Sequence, residues 1–492
     1  MNTTQILLPQ FISSYSEGSI FDTLQSPMST HLIKQAIVVG SGIAGLSAAS
    51  QLIAHNISVY LLERAAKPGG NSIKASSGIN GAPTKYQPVP DNLFYDDTIK
   101  SVGDVIATET KQRQNLISTL TESSAEAIEW LVDEKGIDLT RVAQLGGHSL
   151  PRTHRGAGKI PPGASIVTTL LKSLNESSLF HLETECVVTR VIKEGSSVVG
   201  VEYSSKDECK TIKGPVIFAS GGFGGDAKGM LAKYRPDLAN FPSTNDPRPG
   251  SQALLTEVGA QLLDMDLVQV HPTSFVDPDD VLKPVKFLAA ELLRGEGGIL
   301  LFDGKRFVNE MDTRKAVTSA ISQLPAEDEV PKQWHVQIVL DEGVHKKASP
   351  HVDFYLWKGL LRMTTVSELI ERFPDTALKT LENYSALATG QGKDIHGRKT
   401  FGSWSMKEVT PDTIIYVGRV TPAVHFTMGG VLINENSEVL DAEGRPIKGL
   451  WAAGEVTGGI HGENRLGGSS LLECVVFGRI AGDQVAKSFA SL

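Results

Sequence analysis

Residues 35–52 read QAIVVGSGIAGLSAASQL. Ala36 to Val39 form a short apolar, β-branched run of the kind that makes a buried strand. Gly40, Gly42 and Gly45 then follow in GxGxxG spacing, and a helical apolar pattern opens behind them. Each glycine has its own reason. The first permits a tight turn, the second lets backbone N–H groups approach a pyrophosphate, and the third lets helix pack on strand. The helix N-terminus adds partial positive charge for the phosphates. A second strand, ISVYLLE, ends at Glu63, 18 residues after Gly45, where an acid can accept bonds from an adenosine ribose. Strand, turn, helix, strand and acid predict an α/β, Rossmann-like dinucleotide-binding fold.

Working outward, three further segments select FAD over a nicotinamide cofactor. KPGGNSIKASSGINGA (67–82) is a Gly, Ser and Asn loop suited to backbone contacts along a pyrophosphate and flavin edge. PVIFASGGFGGD (215–226) is another apolar strand running into paired glycines, Gly221 and Gly222. GLWAAGEVTGG (449–459) repeats the arrangement near the C-terminus, with Glu455 placed to bind ribityl hydroxyls. A nicotinamide-only enzyme has no need of a strand returning from that end of the chain.

At 492 residues, with 40% hydrophobic and 21% charged composition, the chain exceeds the size at which a single core stops growing, so two domains are expected. Its net charge of −9 argues against a nucleic-acid partner or an anionic membrane surface. Any anionic substrate must then be drawn in by local positive charge. Three scattered cysteines, Cys186, Cys209 and Cys474, do not make a disulfide framework, a zinc site or an iron–sulfur cluster, and there is no CxxCH for haem attachment. No metal is expected. The first 33 residues contain no Lys or Arg, unlike a signal or transit peptide, and read as a polar extension; a cytoplasmic location is expected. The run 36–53 has the length of a membrane span, but its Gly and Ser follow the phosphate-binding pattern, so no membrane helix is expected.

The second decisive stretch is LAAELLRGEGG (288–298). Glu291 and Arg294 lie in apolar surroundings, where charge is tolerated only when paired and hydrogen-bonded. Downstream, ILLF and KRFV flank Asp303-Gly304, a type I′ hairpin signal. Such a turn pairs Phe302 with Lys305 and Ile299 with Val308, and so brings Arg314 back beside Glu291 and Arg294 as one buried cluster of alternating charge. A triad of this kind also occurs as pure structure. Here it has company: QVHPTSF supplies His271, TPAVHFTMGG supplies His425 and HGENRLGGSSL supplies Arg465.

In the order HPT, AAELLRGEGG, GKRFVNEMDTR, HFTMGG and NRLGG, these segments resemble the fumarate reductase and succinate dehydrogenase flavoproteins, and most closely the soluble single-chain fumarate reductases. The resemblance covers about residues 34–492. It implies a Rossmann-like FAD-binding domain in two parts, 34–264 and 427–492, with an inserted α+β capping domain, 265–426, and the extension 1–33 outside both.

It also implies reduction of fumarate to succinate, with hydride from flavin N5 and a proton from Arg314. Glu291 and Arg294 would be the relay that restores that proton, and His271, His425, Arg465 and Gly468 would hold the substrate carboxylates. Cofactor contacts are implied at Gly40, Ser41, Gly42, Ala44, Gly45, Glu63 and Arg64; at Gly70, Asn71, Ser72, Ser77, Gly78, Ile79 and Asn80; and at Val187, Ala219, Gly221, Gly222, Glu455, Ser470 and Leu471.

The stretch 71–80 lacks the histidine that attaches FAD covalently in membrane-complex relatives, so noncovalent FAD is expected. Ala290 stands where the family often has threonine, and Glu463 where alanine is usual. These departures leave room for another enoate, urocanate-like or acrylate-like; an L-aspartate oxidase-like flavoenzyme is a further alternative. Lacking haem and cluster motifs, the chain needs an external electron donor such as reduced free flavin.

Overall fold

A computed structural model describes residues 34–490 apart from Glu109, Lys159 and Asp207. The expected extension, 1–33, lies outside the described residues. Among the described residues no helix is long and apolar enough to cross a membrane.

The QAIVVGSGIAGLSAASQL stretch folds as its spacing dictates. Strand β1 (Gln35–Val39) leads through the glycine turn into helix α1 (Ile43–Ala54), and strand β2 (Ser58–Leu62) returns parallel to β1, with Val38 opposite Leu61. Strand Val216–Phe218 pairs parallel on the other side of β1, and Pro446–Ala452 pairs parallel with that strand in turn. The returning C-terminal segment therefore sits inside a nine-stranded sheet, between strands contributed by the first half of the chain.

Helix α1 is buried almost all round because it is covered by the sheet on one face and by the long helix Ser469–Ala490 on another. The two helices approach closely where Gly478 and Gly482 face α1. A Cβ at either position would meet the carbonyl oxygens of Ala44 and Ala48, at 2.4 and 2.7 Å.

A second, antiparallel sheet of seven strands centres on Ile414–Thr427, which pairs with Val268–Phe275, Val336–Leu340 and Arg362–Thr365. It has its own apolar core, built from residues such as Leu293, Leu300, Trp334, Ile338 and Tyr384. The architecture is that of a Rossmann-like FAD-binding domain carrying an α+β capping domain.

The predicted hairpin is present but shorter than expected. Asp303 and Gly304 both take positive φ, 48° and 74°, and Phe302 pairs with Lys305 and Leu301 with Arg306. The ladder stops there. Ile299 pairs with Val339 of the neighbouring strand and not with Val308. The physical reason is Arg306, whose guanidinium is drawn into contact with Glu310 and Asp394, turning the chain out of the ladder.

Candidate active site

One cavity of about 1540 Å³ runs between the two sheets' elements, larger than the roughly 300–1,000 Å³ of a usual small-molecule site. Its wall includes Gly40, Ser41, Gly42, Ala44, Glu63, Arg64, Gly70, Asn71, Ser72, Ser77, Gly78, Val187, Ala219, Gly221, Gly222, Glu455, Gly468, Ser470 and Leu471. Three expected contacts stand back from it. Gly45 lies under the turn, where a Cβ would meet the Gly40 carbonyl oxygen at 2.0 Å, and Ile79 and Asn80 are fully buried. Asn80 instead holds the neighbouring wall: its side chain donates to the Gly467 carbonyl at 2.9 Å and its backbone N–H donates to that of Gly468.

The cradle fits FAD. Helix α1 begins after the N-cap Gly42, which has no side chain to cap it, so its positive end faces the cavity; the Ile43 N–H is met by the Ser72 hydroxyl at 3.1 Å. Gly40, at φ +104°, sits so close to the next strand that a Cβ would meet the Ala219 carbonyl oxygen at 2.4 Å. Glu63 is fixed by bonds from the Ser41 N–H and hydroxyl and from the Ala65 N–H. Glu455 is half-buried, accepts from the Thr427 N–H at 2.9 Å, and is pushed up to about 7 by its desolvation.

At one end of the cavity the charged segments converge. Arg314, first residue of the helix Arg314–Ser322, donates from Nε and Nη2 to Glu291 Oε2 at 2.8 and 2.7 Å, and from Nη1 to Gln269 Oε1 at 2.8 Å. Arg465 donates to the same Gln269 oxygen at 3.0 Å and lies 4.2 Å from the centre of the Phe426 ring. The His271 and His425 rings meet edge to face, 5.5 Å apart. His425 is fixed through Nδ1 to Thr244 Oγ1 at 3.0 Å. His271 Nδ1 lies 2.8 Å from the Thr273 carbonyl oxygen, while its buried Nε2 has no partner. Arg314, His425 and Arg465 reach the cavity wall; His271, Glu291 and Arg294 do not.

Residues 35–471 match the FAD binding domain family. Fumarate reductase 1 of Saccharomyces cerevisiae is 45% identical over 92% of this chain and 99% of its own length. The fumarate reductase of Schizosaccharomyces pombe is 40% identical, covering 96% of this chain and 93% of its own. The structure is similar to the open conformation of a flavocytochrome c3 fumarate reductase, with a TM-score of 0.73 and 32% identity, over 96% of this chain and 82% of that one. This chain belongs to the fumarate reductase family. As a member of that family it is an FAD-binding flavoprotein and an oxidoreductase.

The electrostatics of this fumarate reductase site are unusual for a protein interior. Burial pushes the Glu291 carboxyl up, but Arg314 and Arg294 outweigh it and hold the group at about 2. His271 and His425 are both pushed well down, first by burial and then by Arg314. Arg465 is lowered to about 10 by burial, with Arg314 adding to it.

The expected triad needs one correction. Arg294 is buried beside the cluster, but it donates from Nη1 to the Glu310 carbonyl at 2.6 Å, and none of its nitrogens lies within 4.0 Å of a Glu291 oxygen. Glu310 is the reason. Its carboxylate is held by Arg306 and Arg398, and that buried network fixes the backbone oxygen which captures Arg294.

One participant escapes a reading of the sequence. Gln269 joins Arg314 to Arg465, and it sits two residues before His271 on the same face of its strand; that period was the available signal. Ala290, where the family often has threonine, uses its N–H to bond the buried Tyr355 hydroxyl at 3.2 Å.

Proposed function

We propose that the protein reduces fumarate to succinate with noncovalently held FAD. One observation carries the choice of a two-carboxylate substrate. Arg294, Arg314 and Arg465 are buried together, yet only Arg314 makes an ion pair, with Glu291; among the described residues neither Arg294 nor Arg465 has a carboxylate within ion-pair reach. Two guanidinium charges thus lack a direct counter-ion in a dry interior, where charge is costly unless paired. Three guanidinium groups around the one carboxylate of Glu291 leave the cluster with two positive charges in excess, which a dianion against Arg314 and Arg465 at the cavity wall balances, whereas an acrylate-like or urocanate-like acid balances one.

When bound, FAD supplies the hydride that reaches one alkene carbon. The chain's own residues do the rest. Arg465 suits a bidentate grip on one carboxylate, and His425, with Nδ1 already taken by Thr244, has its other ring nitrogen for the second. Holding both ends fixes the alkene, which converts orientation into rate.

Arg314 delivers the proton to the other alkene carbon. A guanidinium is a poor acid, with a pKa above about 12, but the carbanion that forms beside a carboxylate is far more basic. Glu291 Oε2 touches both Nε and Nη2 of Arg314 and can return a proton there at once. A carboxyl held near 2 does not keep a proton it receives, which suits a relay. Arg294 refills Glu291 from beside it, since its Nε and Nη2 have no other acceptor.

The test is Arg314→Ala and Arg314→Lys, assayed anaerobically with chemically reduced donor. Loss of roughly 10³-fold or more in kcat with retained fumarate binding is expected, because general acid catalysis contributes about 10²–10⁴-fold. Turnover at the wild-type rate in Arg314→Ala would remove the proposed role.

A further inference from the structure

The loop 145–148 lies between Glu291 and the turn that follows Arg465. A Cβ at Gly146 would meet Glu291 Oε1 at 3.0 Å, and one at Gly147, where φ is +81°, would meet Leu466 Cδ2 at 3.0 Å. The loop ends in His148, a buried imidazole outside the cavity wall.

The two ring nitrogens of His148 have opposite neighbours. Nδ1 lies 3.1 Å from Arg152 Nη1, and a guanidinium can only donate, so Nδ1 carries no hydrogen. Nε2 lies 3.0 Å from the Gly467 carbonyl oxygen, which can only accept, so the ring proton sits on Nε2 and is donated there. The tautomer is therefore fixed. Burial, and after it Arg152, lowers the ring's pKa to about 4, which keeps it in that neutral form.

Arg152 is itself held on every side. It is fully buried, donates from Nε and Nη2 to the two oxygens of Asp91 at 2.6 and 3.0 Å, and donates from Nη1 to Asp97 Oδ2 at 2.6 Å. Asp97 in turn accepts from the Ser149 N–H and hydroxyl, next to His148 in the chain. Two acids and an arginine taken out of water to orient one imidazole make a costly frame. Its product is the direction of the Gly467 carbonyl.

That carbonyl also accepts from Asn80 Nδ2 at 2.9 Å, and neither His148 nor Asn80 lines the cavity. The carbonyl thus points away from it. The Gly467–Gly468 peptide is trans, and in a planar trans peptide the carbonyl and the following N–H point opposite ways. The Gly468 N–H is therefore turned to the cavity that Gly468 lines, where it donates to no group among the described residues. One hydrogen bond would leave the peptide free to rotate about it. Two donors on the carbonyl oxygen fix its plane.

We propose that His148 is a positioning residue for substrate: by pinning the Gly467 carbonyl it aims the Gly468 N–H at the carboxylate gripped by Arg465. The inference rests on the carboxylate anchoring proposed above.

The test uses FAD-loaded wild type, H148F and H148Q. Phenylalanine keeps a ring without a donor, whereas the glutamine amide can donate to the Gly467 carbonyl from about the place of Nε2. Binding of fumarate, acrylate and urocanate to the oxidised protein is followed through the flavin absorbance, and KM and kcat are measured with reduced methyl viologen. H148F should bind the acid that wild type accepts about tenfold more weakly and raise its KM about tenfold, the loss typical of one hydrogen bond to a charged group. Its kcat should change less than about threefold, and H148Q should recover most of the binding.

Unchanged binding in FAD-loaded H148F overturns the proposal. So does an equal loss in H148Q, which would make the ring a packing element, or a fall in kcat with binding intact, which would tie His148 to Arg314 and not to the carboxylate. If H148F does not retain FAD, H148N takes its place: its amide can accept from Arg152 but is too short to reach Gly467, so the same tenfold loss is expected and unchanged binding again overturns the proposal. If wild type takes acrylate or urocanate and not fumarate, the earlier reading fails and this one is judged on the acid that binds; if it takes none of them, both fail.

Discussion

The glycine turn at one end of the cavity and the charged cluster at the other were built by opposite means. The turn is made by backbone: of three glycines within six residues, Gly40 and Gly45 are needed because a Cβ would strike a carbonyl oxygen, and a Cβ at Gly42 would crowd the Ser72 hydroxyl at 3.3 Å. The cluster is made by side chains from five separated segments, around 269–271, 291–294, 310–314, 425 and 465. A local motif fails when one atom is added. A distributed one fails when one partner is removed.

The largest effect is therefore expected at Gly45→Ala. Its Cβ would sit 2.0 Å from the Gly40 carbonyl oxygen and 3.1 Å from the carbonyl carbon, so the turn or α1 must move. Backbone cannot yield as a side-chain tip can. The variant should lose FAD and most soluble protein, read by flavin absorbance after purification and by circular dichroism. If it purified with a full complement of FAD and a native melting temperature, the division drawn here between backbone-built and side-chain-built sites would collapse.

That division also explains what could be read from the sequence. The Rossmann-like turn, Glu63 and the returning strand before Glu455 were legible because each is specified within about 20 residues of its own motif. Arg314 does lie beside Glu291 and the Asp303-Gly304 turn is as encoded, but the ladder expected to carry the chain there, with Ile299 opposite Val308, is not formed. Arg294 was misplaced because its partner is the carbonyl oxygen of Glu310, fixed by Arg306 and Arg398, and no spacing rule reports a backbone acceptor held by two distant arginines. His271 reached the cluster but not the cavity wall for a similar reason: its ring is packed against His425, contributed by a strand some 150 residues later.

Glu455 stands between the two regions and sharpens the contrast, since it is a side-chain ligand set in a glycine-rich turn. Burial raises its pKa from 4.5 to about 7. Between those values the folded, flavin-free protein holds a proton that the unfolded chain has released. The sign follows: this group's stabilising contribution is complete below about pH 4.5 and is lost as pH rises to about 7. The displacement corresponds to about 3 kcal/mol. Flavin-free Glu455→Gln should match wild type near pH 4.5 and be more stable above pH 7, by up to that amount. Urea unfolding of both proteins across this range measures the difference, and parallel curves at all pH values would show that Glu455 ionises freely.

The smallest of these effects belongs to Gln269, and it tests the distributed site most directly. Its Oε1 accepts from both Arg314 and Arg465, while its Nε2 donates to Asn464 Oδ1 and to the Arg465 carbonyl. It touches no part of the cofactor turn. Gln269→Leu keeps the bulk and removes the shared acceptor, leaving one N–H on each of two buried guanidinium groups without a partner. An unmet hydrogen bond to a charged group costs about 2 kcal/mol, or roughly 30-fold in rate or affinity. A loss in kcat with KM unchanged means that Gln269 aims Arg314 at the reacting carbon. A rise in KM alone means that it aims Arg465 at the carboxylate. Gln269→Glu separates charge from geometry: it keeps both contacts but adds a negative charge where the dianion needs positive ones. It should therefore weaken fumarate binding more than the leucine does, even though its hydrogen bonds to the two arginines become stronger.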